Sequence, residues 1–70
     1  MLSFIRNFEM TRIGLETLER VSDVSLKINK NKLIVKSTNG TEIVDMSCFR
    51  MRMENQEFIL ENSHSLYSFR

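Results

Sequence analysis

The sequence predicts an α+β fold: a short N-terminal helix followed by a bent antiparallel β-meander of about five strands. Three observations predict it. Leu15, Leu18 and Val21 recur at three-residue steps, which is helical spacing. Asn39-Gly40 lies between two alternating apolar segments, a strong short-range hairpin signal. The alternation then changes phase: Val44, Met46 and Cys48 occupy even positions, whereas Phe49, Met51 and Met53 occupy odd ones. A strand cannot change phase without a bulge or a bend, so the sheet is expected to bend near Cys48-Phe49.

Taken in order, residues 1–10 fit two templates, with Leu2, Phe4, Phe8 and Met10 alternating while Phe4, Phe8 and Leu15 also suit a helix. Thr11 is a good N-cap type, and Glu16 precedes Arg20 by four, so the helix is expected from Arg12 to Ser22. Gly14 costs such a helix about 1 kcal/mol against Ala. Beyond Ser22-Asp23, Val24, Leu26 and Ile28 share one face of a first strand, and Asn29 to Lys32 form a turn. Folding about Asn39-Gly40 sets Thr38 opposite Thr41, Val35 opposite Val44 and Leu33 opposite Met46. A second hairpin about Asn55-Gln56 sets Met53 against Phe58, Met51 against Leu60 and Arg50 against Glu61. Asn62-Ser63 makes the last turn, before a short strand with Leu66, Tyr67 and Phe69. The organisation is one small domain over 1–70, with a helical segment in 1–22 and the sheet in 24–69.

Seventy residues bury a small core; a chain of this size hides only about 60% of its unfolded surface. One cysteine, Cys48, forms no internal disulfide, and with the lone His64 it supplies no four-ligand zinc site. Association is the remaining supplement, so a homo-oligomer is expected. No run approaches the ~18 apolar residues of a membrane helix. With no export signal in the first residues and one thiol, a cytoplasmic location is expected. The net charge of +1 conceals an asymmetry. Residues 1–23 carry three arginines against four acids, residues 24–41 carry four lysines and no acid, and residues 42–70 carry three arginines against five acids.

Acid–base or nucleophilic catalysis needs a base within reach of a nucleophile and a third group orienting it. His64, between Ser63 and Ser65 in a turn, has no such spacing to Cys48 or Asp45, so no catalytic residue, cofactor or metal is expected. Cys48 reads as a small buried apolar residue. Two sets of residues remain. Lys27, Lys30, Lys32 and Lys36, with Arg52 facing Ile59 and lacking a partner, could contact RNA or a nucleotide through its phosphates. Outward lysines equally protect a sheet edge. Phe4, Ile5 and Phe8 are too apolar to be left in water, and Ile34 and Ile43 lie on the nominal solvent face beside Lys36 and Asp45. These five residues form the expected interaction or oligomer surface.

The layout of a short helix leading into a bent five-strand sheet resembles the Sm-like architecture of small RNA-binding ring proteins. That resemblance is of layout alone, because the Gly and Asp signature of that family's second and third strands does not occur here. The functional expectation is a non-enzymatic, oligomeric interaction module that binds and modulates another macromolecule, inhibition included, with a protein as the expected partner. The alternative is an anion-binding protein that uses the lysine hairpin.

Overall fold

A computed structural model describes residues 5–70, with side chains from residue 8 onward. Phe4 lies outside the described residues, and Ile5 is placed only by its backbone. The chain forms seven strands: β1 (Ile5–Ile13), β2 (Leu18–Asn29), β3 (Lys32–Ser37), β4 (Gly40–Asp45), β5 (Arg50–Glu54), β6 (Glu57–Glu61) and β7 (Leu66–Phe69). One turn of 3₁₀ helix, Met46–Cys48, links β4 to β5. All pairings are antiparallel, in the order β4-β3-β2-β1-β7-β6-β5. Two meanders, β1–β4 and β5–β7, are therefore joined where β7 pairs with β1. Reciprocal main-chain bonds between Glu9 and Arg70, at 2.9 and 3.0 Å, carry that pairing one residue further.

The expected N-terminal helix is not present, and the sheet has seven strands rather than about five. Residues 12–22 instead make the first hairpin, with Arg12 opposite Glu19 and Ile13 opposite Leu18. The three-residue apolar recurrence was coincidental: Val21 is buried, but Leu15 is 83% exposed in the turn and Leu18 is exposed on the outer face. Gly14 marks that turn. Its N–H donates to the Thr17 carbonyl at 2.9 Å, and a Cβ there would sit 2.8 Å from Thr17 Oγ1. At Asp23, φ is +57°, and the β1–β2 register shifts there between the pairs Met10–Val21 and Phe8–Val24. This bulge keeps Val21 and Val24 both facing inward despite their odd spacing.

The turn residues explain the other registers. Asn55 and Gln56 have φ of +51° and +66°, the signature of a type I′ turn, and the β5–β6 pairs match those expected from the sequence. At Asn39-Gly40 the outcome differs. The central residues are Thr38 and Asn39, closed by Ser37 opposite Gly40, and the Asn39 N–H donates to Ser37 Oγ at 3.1 Å. Gly40, at φ +123°, follows the turn, the position where type I turns favour glycine. Val35 thus faces Glu42 rather than Val44, and Leu33 faces Val44 rather than Met46. The shift is two residues, so the inward faces of both strands survive it.

The sheet rolls up. A flat sheet is one layer about 10 Å deep, whereas the chain measures 24 Å in each of its two shorter dimensions. Met10, Val21, Val24, Leu26, Leu33, Val35, Val44, Leu60 and Phe69 form one buried cluster that draws on six of the seven strands. Met46 and Phe49, on either side of the 3₁₀ turn, pack against it. The phase change at Cys48-Phe49 is this turn. Asp45 caps it, and Cys48 within it is exposed rather than buried. β4 and β5 do not pair, so the roll stays open between its two edge strands.

Candidate functional site

The two ends of the roll interior differ in chemistry. At one end the inward positions of β1, β2, β4 and β7 are Arg12, Glu19, Glu42 and Tyr67. The Arg12 guanidinium donates to Glu42 Oε1, lies 3.6 Å from Glu19, and sits 5.5 Å from the centre of the Tyr67 ring. The Tyr67 hydroxyl donates to Glu42 Oε2 at 2.9 Å. Burial, and then the hydrogen bond to the Glu42 carboxylate, push the Tyr67 phenol above its ordinary pKa of 10.0. A cavity of about 260 Å³ lies beside this cluster, lined among others by Arg12, Glu19, Ser37, Asn39 and Glu42. Each charged group here already has a partner of opposite sign. The cluster therefore fastens β1 and β7 to β4 across the interior, lining the cavity rather than filling it, and leaves the Arg12 Nε buried without a hydrogen-bond partner.

At the other end the inward residues are apolar. Phe8, Leu26, Ile28, Met53, Phe58 and Phe69 line a second cavity of about 280 Å³, to which Lys27 and Gln56 also contribute. Ring contacts lead toward it along β7: Phe49 meets Tyr67 edge-on at 5.5 Å, Tyr67 stacks with Phe69 at 6.3 Å, and Phe58 lies 6.0 Å from Phe69. Beside this cavity every residue of β5 is exposed. Met51 and Met53 occupy the inward register, opposite Leu60 and Phe58, yet remain 59% and 69% exposed because no strand covers β5 on its far side. Methionine on an uncovered, half-lined cavity is an adaptable apolar surface.

The structure redistributes the residues singled out in the sequence. Ile34 and Ile43 are brought together as a cross-strand pair on the outer face, Ile34 half-buried and Ile43 exposed. Phe8 is separate from them: it faces inward, packs against the core and lines the apolar cavity. Lys27 and Lys36 lie on the outer face, opposite Ile34 and Ser25 respectively, and Lys30 occupies the β2–β3 turn with φ +58°. Lys32 is bound to Asp45 at 3.0 Å. Hydrogen bonds from the Ser47 hydroxyl, then from Lys32 and the Ser47 amide, hold the Asp45 carboxyl at about 2. Arg52, expected to be unpaired, reaches Glu61 at 3.2 Å and Glu54 at 3.7 Å. The reason is that Arg52, not the directly opposite Arg50, extends diagonally to Glu61.

His64 is exposed in a turn built by Asn62, whose Oδ1 accepts from the main-chain N–H groups of His64 and Ser65 at 2.8 and 2.9 Å. Among the described residues no group of three or more His, Cys, Asp and Glu is arranged to hold a metal ion, and no helix is long and apolar enough to cross a membrane. Of the apolar end the sequence showed only the β5–β6 side, as the expected pairing of Met51 with Leu60 and Met53 with Phe58; the polar end was not visible in it. Reading residues 12–22 as a helix concealed that Arg12 and Glu19 are cross-strand neighbours. The pairing of β1 with β7, which brings Tyr67 beside Arg12, leaves no local signal at all.

No known protein family, curated protein or solved structure matches this chain. With seven strands and no α-helix among the described residues, the layout likeness to Sm-like proteins also loses its basis. The function is therefore argued from the residues alone.

Proposed function

We propose that the protein is a small, oligomeric, non-enzymatic interaction module that modulates a protein partner by holding an apolar segment of it in the cavity beside β5. One observation carries this reading. On a face that is core elsewhere in the sheet, Met51 and Met53 stay exposed next to a cavity walled by Phe8, Leu26, Ile28 and Phe58. Cavities of a few hundred Å³ with apolar walls are the usual receptors for an inserted side chain, and a protein segment delivers one on an extended backbone. An inhibitor would act in this way, by sequestering a strand its partner needs.

The lysine-rich alternative has less support. Lys32 and Arg52 are engaged by Asp45 and Glu61, and Arg52 sits on β5, whereas the four lysines belong to the β2–β3 hairpin at the opposite side of the strand order.

Blocked tetrapeptides carrying one central Leu or Phe, titrated into ¹⁵N-labelled protein, test the proposal. Amide shifts at Phe8, Leu26, Ile28 and Phe58 are expected, with affinity falling about tenfold in Met53→Glu, the equivalent of 1.4 kcal/mol. Failure of every such peptide to bind, or shifts confined to the Lys27, Ile34 and Ile43 face, would overturn it.

A further inference from the structure

We propose that the free edge of β5 pairs with β5 of a second copy of the chain, antiparallel about a two-fold axis at Arg52. The inference rests on the preceding reading of this side of the roll as the interaction side, and it names what occupies the edge. Three features of the strand support it.

The first is the direction of its main-chain groups. The two-residue type I′ turn makes Glu54 and Glu57 the hydrogen-bonded closing pair of the β5–β6 hairpin. Main-chain groups of Arg50, Arg52 and Glu54 therefore point to β6, and those of Met51 and Met53 point away from it. No strand of the described residues receives them, since β5 ends the sheet. Natural edges are blunted by proline, a bulge, charged side chains or a very short strand. Arg50–Glu54 has no proline and no bulge, and its three charges, Arg50, Arg52 and Glu54, are of both signs, so they protect it only against an edge of unlike pattern.

The second is self-complementarity. Strands related by a two-fold axis at Arg52 set Met51 opposite Met53 and Arg50 opposite Glu54, each twice. Both Met51–Met53 pairs are then hydrogen-bonded pairs, giving four main-chain hydrogen bonds, and both Arg50–Glu54 pairs are of opposite charge. The two Arg52 residues meet on the outer face. Like charges opposed there are unfavourable, but each is already neutralised by its own Glu61 and Glu54. A two-fold interface requires one patch to complement itself, and the Arg-Met-Arg-Met-Glu order of β5 meets that requirement.

The third is continuity with the cavity. The axis stands perpendicular to the sheet, so inner face continues into inner face. Met51 of the second copy comes to lie beside Met53, extending the cavity wall where one copy leaves it open. Dimerisation thus completes each cavity and sets two of them side by side, a bivalent arrangement.

Sedimentation equilibrium, with no other protein present, tests this. The wild type is expected to dimerise reversibly. Arg50→Glu places like charges opposite each other at two positions and is expected to weaken the dimer about tenfold or more. Adding Glu54→Arg to it restores opposite pairs and is expected to restore the dimer. Met51→Pro, which removes an N–H that β6 does not use, is expected to abolish dimerisation while leaving the strand signature in far-UV circular dichroism. A monomeric wild type, or a dimer indifferent to the charge reversals, would overturn the inference. Running the tetrapeptide titration on the wild type beside the sedimentation experiment separates the two proposals: a monomeric wild type that binds peptide removes this inference alone, and a wild-type dimer that binds no peptide removes only the proposed function.

Discussion

The two ends of the rolled sheet are built from the same seven strands and use their inward positions in opposite ways. At one end Arg12, Glu19, Glu42 and Tyr67 pair with one another across the interior, so the end is polar, and the Arg12 Nε is its one buried side-chain group without a hydrogen bond among the described residues. At the other, Phe8, Ile28, Met53 and Phe58 surround space that no side chain of the described residues fills. A cluster of ion pairs and hydrogen bonds has its charges matched internally and presents little apolar surface to a partner. An apolar wall with exposed methionines is unsatisfied until something covers it. The difference teaches that in a domain this small the interaction surface is a part of the core that the described residues leave uncovered.

The largest expected effect concerns what both ends share. Leu60 is fully buried in the cluster between them, and Leu60→Ala should cost about 2–5 kcal/mol, read as a lower urea midpoint. Substitutions at the ends should separate them. Glu42→Gln leaves Arg12 with only the more distant Glu19 carboxylate and weakens the acceptor for Tyr67, at a cost of about 1–2 kcal/mol given partial exposure. Met53→Glu at the open end, where the new carboxylate stays in water, should change stability by no more than about 0.5 kcal/mol. Equal losses at Glu42 and Met53 would break the comparison.

Two titrations sharpen it further. Tyr67 is the single tyrosine, so its ionisation is read directly from ultraviolet absorbance. Its midpoint should lie above 10.0, and Glu42→Gln should lower it without removing the larger contribution of burial. Because the folded-state pKa is raised, the stability Tyr67 contributes is complete below the unfolded value and is lost as pH rises through the folded one. Asp45 works in the other direction. Its pKa is depressed from 3.8 to about 2, so its contribution is present above 3.8 and disappears as pH falls through about 2. Carboxyl NMR should show Ser47→Ala raising that midpoint more than Lys32→Met does, since the Ser47 hydroxyl is the larger cause.

Local signals carried part of this fold. The Asn55-Gln56 turn and its register, the inward faces of β2 to β4, and the interruption at Cys48-Phe49 are all short-range and legible in the sequence. Asn39-Gly40 marked a turn but misplaced its centre by one residue, because the Ser37 hydroxyl and the positive φ of Gly40 favour a different closing pair. The first hairpin was obscured by leucines that are exposed, Leu15 and Leu18, and by a glycine that serves a turn. The polar end was not legible at all: Tyr67 and Arg12 lie on strands from the two ends of the chain, and Glu42 meets both only because the sheet rolls.

The most direct test of the difference between the ends is shift mapping under xenon pressure, since xenon enters open apolar cavities and ignores satisfied polar ones. Progressive shifts at Phe8, Leu26, Ile28, Met53 and Phe58, with none at Arg12, Ser37, Gly40 or Glu42, are the expected result. Shifts at the polar end, or none at either, would contradict an interior that is polar and internally paired at one end and apolar and open to a partner at the other.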